Sequence, residues 1–133
     1  MNIKLVKCLD WPATDRPGEL LMYAEHLHNE KVNLDALWGY VTHDNKARLA
    51  AIGKHPTKLQ YALRKLGVKT QICKGFQVSG KDRTGALIDV FRKLSNAKIN
   101  IECADALATQ GKYSGTIWVS KSDLGRAKKV LGI

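Results

Sequence analysis

The sequence predicts an α+β protein built from two tandem βαββαβ modules, at residues 1–74 and 75–133. Three observations predict it: an internal repeat, hydrophobic runs that switch between a period of two and helical spacing, and turn residues where the switches fall. At an offset of 67, DRPGELLMYAEHLHNEKVNL (15–34) aligns with DRTGALIDVFRKLSNAKINI (82–101), and eight of the twenty positions are identical. The identities are Asp15/Asp82, Arg16/Arg83, Gly18/Gly85, Leu20/Leu87, Leu27/Leu94, Asn29/Asn96, Lys31/Lys98 and Asn33/Asn100. The match resumes at an offset of 65, where Leu59, Ala62, Leu66 and Gly67 meet Leu124, Ala127, Leu131 and Gly132. The second copy is thus two residues shorter in its middle, as a turn between strands permits.

Each element follows from its own pattern. Residues 2–9 read as a first strand and not as a signal peptide, since Lys4 and Lys7 interrupt the apolar run. Residues 10–16 read as a loop. Pro17 suits a first helical position with Asp15 as its cap, and Leu20, Leu21, Ala24 and Leu27 supply the apolar stripe of a helix ending near Asn29–Lys31. Val32, Leu34, Ala36, Trp38 and Tyr40 then alternate as one face of a strand. Asp44-Asn45 marks a turn and Ala47–Ile52 a returning strand. Pro56 opens a helix carrying Leu59, Ala62, Leu63 and Leu66, and Gly67 closes it. Residues 68–74 read as a strand.

The second copy repeats the plan: a strand at 76–80, a helix over Thr84–Ala97 on Leu87, Phe91 and Leu94, a hairpin of Ile99–Ala106 and Tyr113–Val119, and a helix over Leu124–Leu131. This order is the ferredoxin-like arrangement, with helices on one face of an antiparallel sheet. Ile133 corresponds to Val68, so the second copy is expected to lack its own final strand. The resulting open edge needs a cover from the other copy, a second subunit or residues 68–80.

Composition narrows the function classes. The chain has 133 residues, 44% hydrophobic and 26% charged, and no apolar run approaches the roughly 18–20 residues that cross a bilayer. Cys8, Cys73 and Cys103 are odd in number and far apart, which fits reduced core thiols in a cytoplasm better than a disulfide framework or zinc site. The net charge of +10 is uneven: residues 1–67 carry 10 basic against 7 acidic side chains, residues 68–133 carry 12 against 5. The lysines are scattered, as on a solvated surface, although a basic second half also attracts anions. Neither GxGxxG nor GxxxxGK[ST] occurs. His26 and His28 diverge on one helix and do not chelate a metal, and Glu102 and Asp105 lie on opposite faces of a strand. Nothing supports catalysis or a cofactor.

Asp15-Arg16-Pro17-Gly18 before a helix, with Val32-Asn33-Leu34 following, resembles the signature of the ACT domain. Asp82-Arg83-Thr84-Gly85 and Ile99-Asn100-Ile101 repeat it, with threonine for the proline. The resemblance implies a stand-alone regulatory protein, not an enzyme. It further implies an amino acid bound near the loop after strand one, at an interface between modules or subunits. Its ligand-binding residues are Asp15, Arg16, Pro17, Gly18, Asn33 and Leu34, with Asp82, Arg83, Gly85, Asn100 and Ile101 in the second copy. A homodimer is implied, with an enzyme or transcription factor as the regulated partner.

The residue chemistry is compatible. A glycine beside a helix start lets a carboxylate approach backbone N–H groups, an aspartate accepts from an ammonium, and asparagine both donates and accepts. The same residues serve equally as cap, packing glycine and turn. The first copy is preferred because its motif is full.

Two other readings remain. RNA binding would use the basic surface, but Lys112–Val119 lacks the glycine and phenylalanine of an RNA-stacking strand, and 46–52 has no aromatic. A protein-interaction module would recruit a partner strand at the open edge.

Overall fold

The computed structural model describes residues 1–133. Six strands and four α-helices follow in the order β1 (Asn2–Thr14), α1 (Glu19–Asn29), β2 (Leu34–His43), β3 (Lys46–Gly53), α2 (Pro56–Lys65), β4 (Gln71–Lys81), α3 (Ile88–Asn96), β5 (Ile101–Thr109), β6 (Lys112–Val119) and α4 (Leu124–Leu131). They form two compact units. The first is residues 7–73; the second joins residues 74–133 to residues 1–6.

In the first unit the strands run β2-β3-β1 with antiparallel pairing, and residues 71–73 of β4 follow on the far side of β1. Leu9, Trp11, Leu49 and Ala51 of the strands meet Tyr23, Leu27, Leu59, Ala62 and Leu63 of α1 and α2 in one core. Trp11 and Leu63 are wholly buried, and the Trp11 ring lies 5.6 Å from that of Tyr23. The second unit repeats the layout: β5-β6-β4, then residues 2–6 of β1. Its core joins Phe76, Val78, Val90, Leu94, Ile117, Ala127 and Leu131, and Ile3 packs against it. The fourth strand of this unit therefore comes from the other end of the chain.

The α+β character and the antiparallel hairpins agree with the sequence patterns. Asp44-Asn45 forms a two-residue hairpin turn with both residues at positive φ. Pro56 sits in the first turn of α2, and Gly67 beyond it has φ +71°.

Several boundaries differ from the sequence expectation. β1 does not end at residue 9 but continues to Thr14, so the expected loop 10–16 is mostly strand. Within this stretch Leu9 and Trp11 alternate into the core. The amide of Asp15 bonds to the Asn45 carbonyl, so strand alternation turns the Pro12 nitrogen away from β3 and the ladder with β3 loses no bond. Pro17 does not open α1 and Asp15 does not cap it; the helix starts at Glu19, after Gly18 at φ +85°. Its buried face is Glu19, Tyr23 and Leu27, while Leu20 and Leu21 are exposed. Residues 68–74 and 76–80 are not two strands but the single β4. Thr84–Leu87 are turns, and α3 begins only at Ile88. No disulfide joins the three cysteines; Cys8 is buried, Cys73 half-buried and Cys103 exposed.

Candidate functional site

The loops after β1 and β4 share a turn and then diverge, since α1 starts at Glu19 and α3 only at Ile88. Asp15 N–H bonds to Asn45 O at 2.8 Å, and Asp82 N–H to Gly111 O at 2.9 Å. Glu19 N–H reaches Arg16 O at 3.3 Å, and Ala86 N–H reaches Arg83 O at 3.2 Å. Gly18 and Gly85 have φ of +85° and +74°, a region where a side chain is strained. A Cβ on Gly18 would meet open space, whereas one on Gly85 would press on Ile88 at 2.9 Å. At the far end of each helix the agreement continues: Lys31 and Lys98 have φ of 58° and 59°. Val32 N–H and Ile99 N–H then return to Leu27 O and Leu94 O at 2.9 and 3.0 Å.

The side chains expected at the site divide into two groups. Asp15, Arg16, Pro17 and Gly18, and Asp82, Arg83 and Gly85, are exposed on their loops. Asn33 and Asn100 are exposed just before β2 and β5, and the Asn33 carbonyl holds the Lys54 amide at 3.0 Å. Leu34 and Ile101 are different: both are half-buried and pack against the cores of their units. Their role in the structure is apolar packing.

One residue that the motif does not name dominates the first loop. The carboxylate of Glu19 accepts the Thr14 N–H at 2.6 Å and the Arg16 Nε–H at 3.0 Å. Glu19 is only 8% exposed, and its charge joins burial in pushing the Tyr23 phenol above its ordinary value. The first loop thus carries its own bound carboxylate. The signal for it lay in the repeat: residue 19 aligns with residue 86, and the copies hold glutamate and alanine there.

Elsewhere the polar groups serve the fold. His26 donates from Nε2 to the Ala62 carbonyl at 2.7 Å, tying α1 to α2. Asp10 takes both Arg48 and, at 3.1 Å, the Cys73 thiol. No group of three or more His, Cys, Asp or Glu side chains is placed to hold a metal. No helix is long and apolar enough to cross a membrane. Tyr113 and Trp118, the aromatics of the segment compared with an RNA-stacking strand, are both buried and present no open ring.

No family model matches the sequence, and no curated protein matches it. Solved structures do. Protein BT0572 from Bacteroides thetaiotaomicron superposes with a TM-score of 0.84 at 26% identity, over 99% of this chain and 90% of that one. The regulatory subunit of aspartate kinase from Thermus thermophilus gives 0.67 at 14% identity, over 99% and 95%. That from Thermus flavus gives 0.65 at 15%, over 99% and 95%. The fold is ACT-like, shared along nearly the whole chain with regulatory subunits.

Proposed function

We propose that this chain is a regulatory protein, not an enzyme, that binds a small molecule, an amino acid, at the loops following β1 and β4. The observation that carries the reading is the duplicated loop. Two segments far apart in sequence hold the same turn hydrogen bonds, the same positive-φ glycine and the same exposed Asp, Arg and Gly triad, Asp15-Arg16-Gly18 and Asp82-Arg83-Gly85. Exposed residues alike in two copies serve no core, and the triad suits a zwitterion: guanidinium and backbone N–H for the carboxylate, aspartate for the ammonium. Asn33 and Asn100 do not adjoin the loops of their own units: they precede Leu34 and Ile101, which pair with Gly53 and Val119, whereas the loops meet Asn45 and Gly111 at the other ends of β3 and β6. Likeness in fold to the regulatory subunits of aspartate kinase supports a regulatory role, read out by an enzyme or transcription factor and exerted from a homodimer.

A thermal-shift screen of the full chain against the twenty amino acids tests this. A ligand at about 100 times its dissociation constant adds roughly 2.7 kcal/mol, a rise of several degrees. A rise with one or a few amino acids, lost in Asp15→Ala/Asp82→Ala, is expected; no rise with any overturns the reading. A partner-strand module is the second reading. It draws on β5, whose residues 102–109 are all exposed and which pairs only with β6.

A further inference from the structure

The two units differ in the charge they carry on the sheet face away from their helices. In the second unit Phe76, Val78, Tyr113 and Ile117 belong to the core, and Ile3 packs against it. The residues that alternate with them therefore project from the other face: Asn2, Ser79, Lys81, Lys112 and Ser114. Lys81 lies directly opposite Lys112 at the end of the ladder, and Ser79 lies opposite Ser114 two residues in. The first unit fills the same positions differently. There Thr14 faces Lys46, Pro12 faces Arg48, and the Arg48 guanidinium is taken by Asp10. The second unit puts Gln77, Ser79 and Lys81 where the first has Asp10, Pro12 and Thr14, so an acid is lost and a lysine gained.

Like charges directly opposite each other destabilise an antiparallel pair, and neither lysine forms an ion pair within the chain. A concave space of about 750 Å³ opens beside the pair, lined by Asn2, Ser79, Lys81, Gln110 and Lys112 among others, all of the second unit. No acidic side chain lines it, and neither does any residue of the Asp82-Arg83-Gly85 triad. The acid that shares this face from β5 is Asp105, opposite Thr116, and its carboxylate accepts the Thr116 N–H at 2.9 Å. Two ammonium groups thus face each other across a strand pair, beside a recess that carries no negative charge.

We infer that this face of the second unit binds a small phosphate ester, with its phosphate group between Lys81 and Lys112. A dianion there removes the cost of the facing charges. The lysine ammonium is a compact point charge that meets a tetrahedral phosphate from any direction, whereas a planar carboxylate is favoured by the guanidinium fork, and no arginine lines the space. The Ser79 hydroxyl and the Asn2 and Gln110 amides supply donors for the remaining phosphate oxygens and for the hydroxyls of the ester's body. The volume decides between a bare ion and an ester: it lies within the roughly 300–1,000 Å³ of small-molecule sites, far more than a phosphate ion fills. The site is separate from the loops proposed to hold an amino acid.

Isothermal titration of the full chain at fixed ionic strength tests this, with ribose 5-phosphate, glucose 6-phosphate and AMP, and with ribose, inorganic phosphate and a short single-stranded RNA as comparisons. The variants are Lys81→Thr, which restores the residue of the first unit, and Lys112→Gln. Both positions are exposed, and each change relieves the facing charges, so both variants should melt no lower than the parent chain. The expected result is one equivalent of at least one ester, weakened roughly tenfold or more by either variant, with no binding of ribose. Amide shifts in NMR spectra should gather at residues 79–81 and 110–113. Inorganic phosphate bound as tightly as any ester, and lost in the same variants, supports the lysine seat and overturns the ester. Binding that neither variant weakens overturns the site. RNA bound where no small phosphate binds overturns it in favour of a polynucleotide surface, and no response to any phosphate overturns it outright. The amino-acid reading is decided separately, since both variants keep the loop residues on which it rests.

Discussion

Removing the carboxylate of Glu19 should open the first loop and reveal what that carboxylate contributes. In Glu19→Ala the Thr14 amide loses its 2.6 Å acceptor and Arg16 loses its partner at 3.0 Å. A hydrogen bond to a charged group is worth roughly 1.5–3 kcal/mol. The Arg16 side chain is 63% exposed, so its ion pair adds at most about 0.5 kcal/mol after solvent screening. An acid in the first helical turn contributes roughly 0.3–1 kcal/mol through the helix dipole. Water entering the opened loop returns part of this, which leaves a net loss of about 2 kcal/mol. For a chain of this size the melting temperature should fall by about 6–8 °C. The assay is calorimetry together with urea titration, run with Glu19→Gln, which keeps one acceptor and should recover about half.

The same experiment carries a sharper arm. If the vacated space is a carboxylate site, acetate should rescue Glu19→Ala and leave the parent chain unmoved. At ten times its dissociation constant acetate would return about 1.4 kcal/mol. A loss below about 0.5 kcal/mol would show that Glu19 does not hold the loop. A full loss with no difference between acetate and chloride would show that the slot accepts a tethered acid but no free one.

Other consequences concern each unit separately. Phe76→Ala, at a wholly buried position in the second core, should cost about 3–5 kcal/mol by urea titration, and a value under 1 kcal/mol would contradict the packing described. Gly115→Ala would drive its Cβ into the Asp105 carbonyl of β5, so the hairpin should lose amide-exchange protection, against no change if β5 can yield. Tyr23 holds its proton more tightly in the folded chain, through burial first and the charge of Glu19 second. Its contribution to stability is therefore complete below the ordinary value of 10.0 and is lost as pH rises through the higher folded value. Tyr23→Phe should flatten the fall in stability above about pH 10; an identical alkaline limb in both proteins would refute the assignment.

The α+β class, the hairpins and the helices at 56–65 and 124–131 were legible because each rests on local periodicity and local turn chemistry. The repeat made the duplicated loop visible as well. What local reading missed has identifiable causes. Residues 10–16 read as a loop, yet β1 runs on through Pro12 to Thr14, because a proline's effect depends on which side of the strand a neighbour lies, and that is a property of the sheet. The stripe of α1 was read as Leu20, Leu21, Ala24 and Leu27, of which Leu27 is buried, while the rest of the buried face is Glu19 and Tyr23. Tyr23 meets Trp11 of β1, distant in sequence, with its ring tilted against the indole.

The site divides along the same line. Sequence alone determined that two loops carry Asp, Arg and Gly in register, and the fuller motif favoured the first. Only the tertiary structure decided that the first loop already holds a carboxylate. Nothing in the spacing of Thr14, Arg16 and Glu19 says that one side chain will fold back onto an amide five residues earlier. That requires the strand to run on to Thr14 and the helix to start late, so that amide, guanidinium and carboxylate converge. The second loop repeats the turn hydrogen bonds but has no such acid, its helix starts later, and Lys81 pairs with Lys112 across its strand end. Pattern reports which residue types recur. Convergence of charge from separate strands is a long-range quantity, and it exists only once the chain has folded.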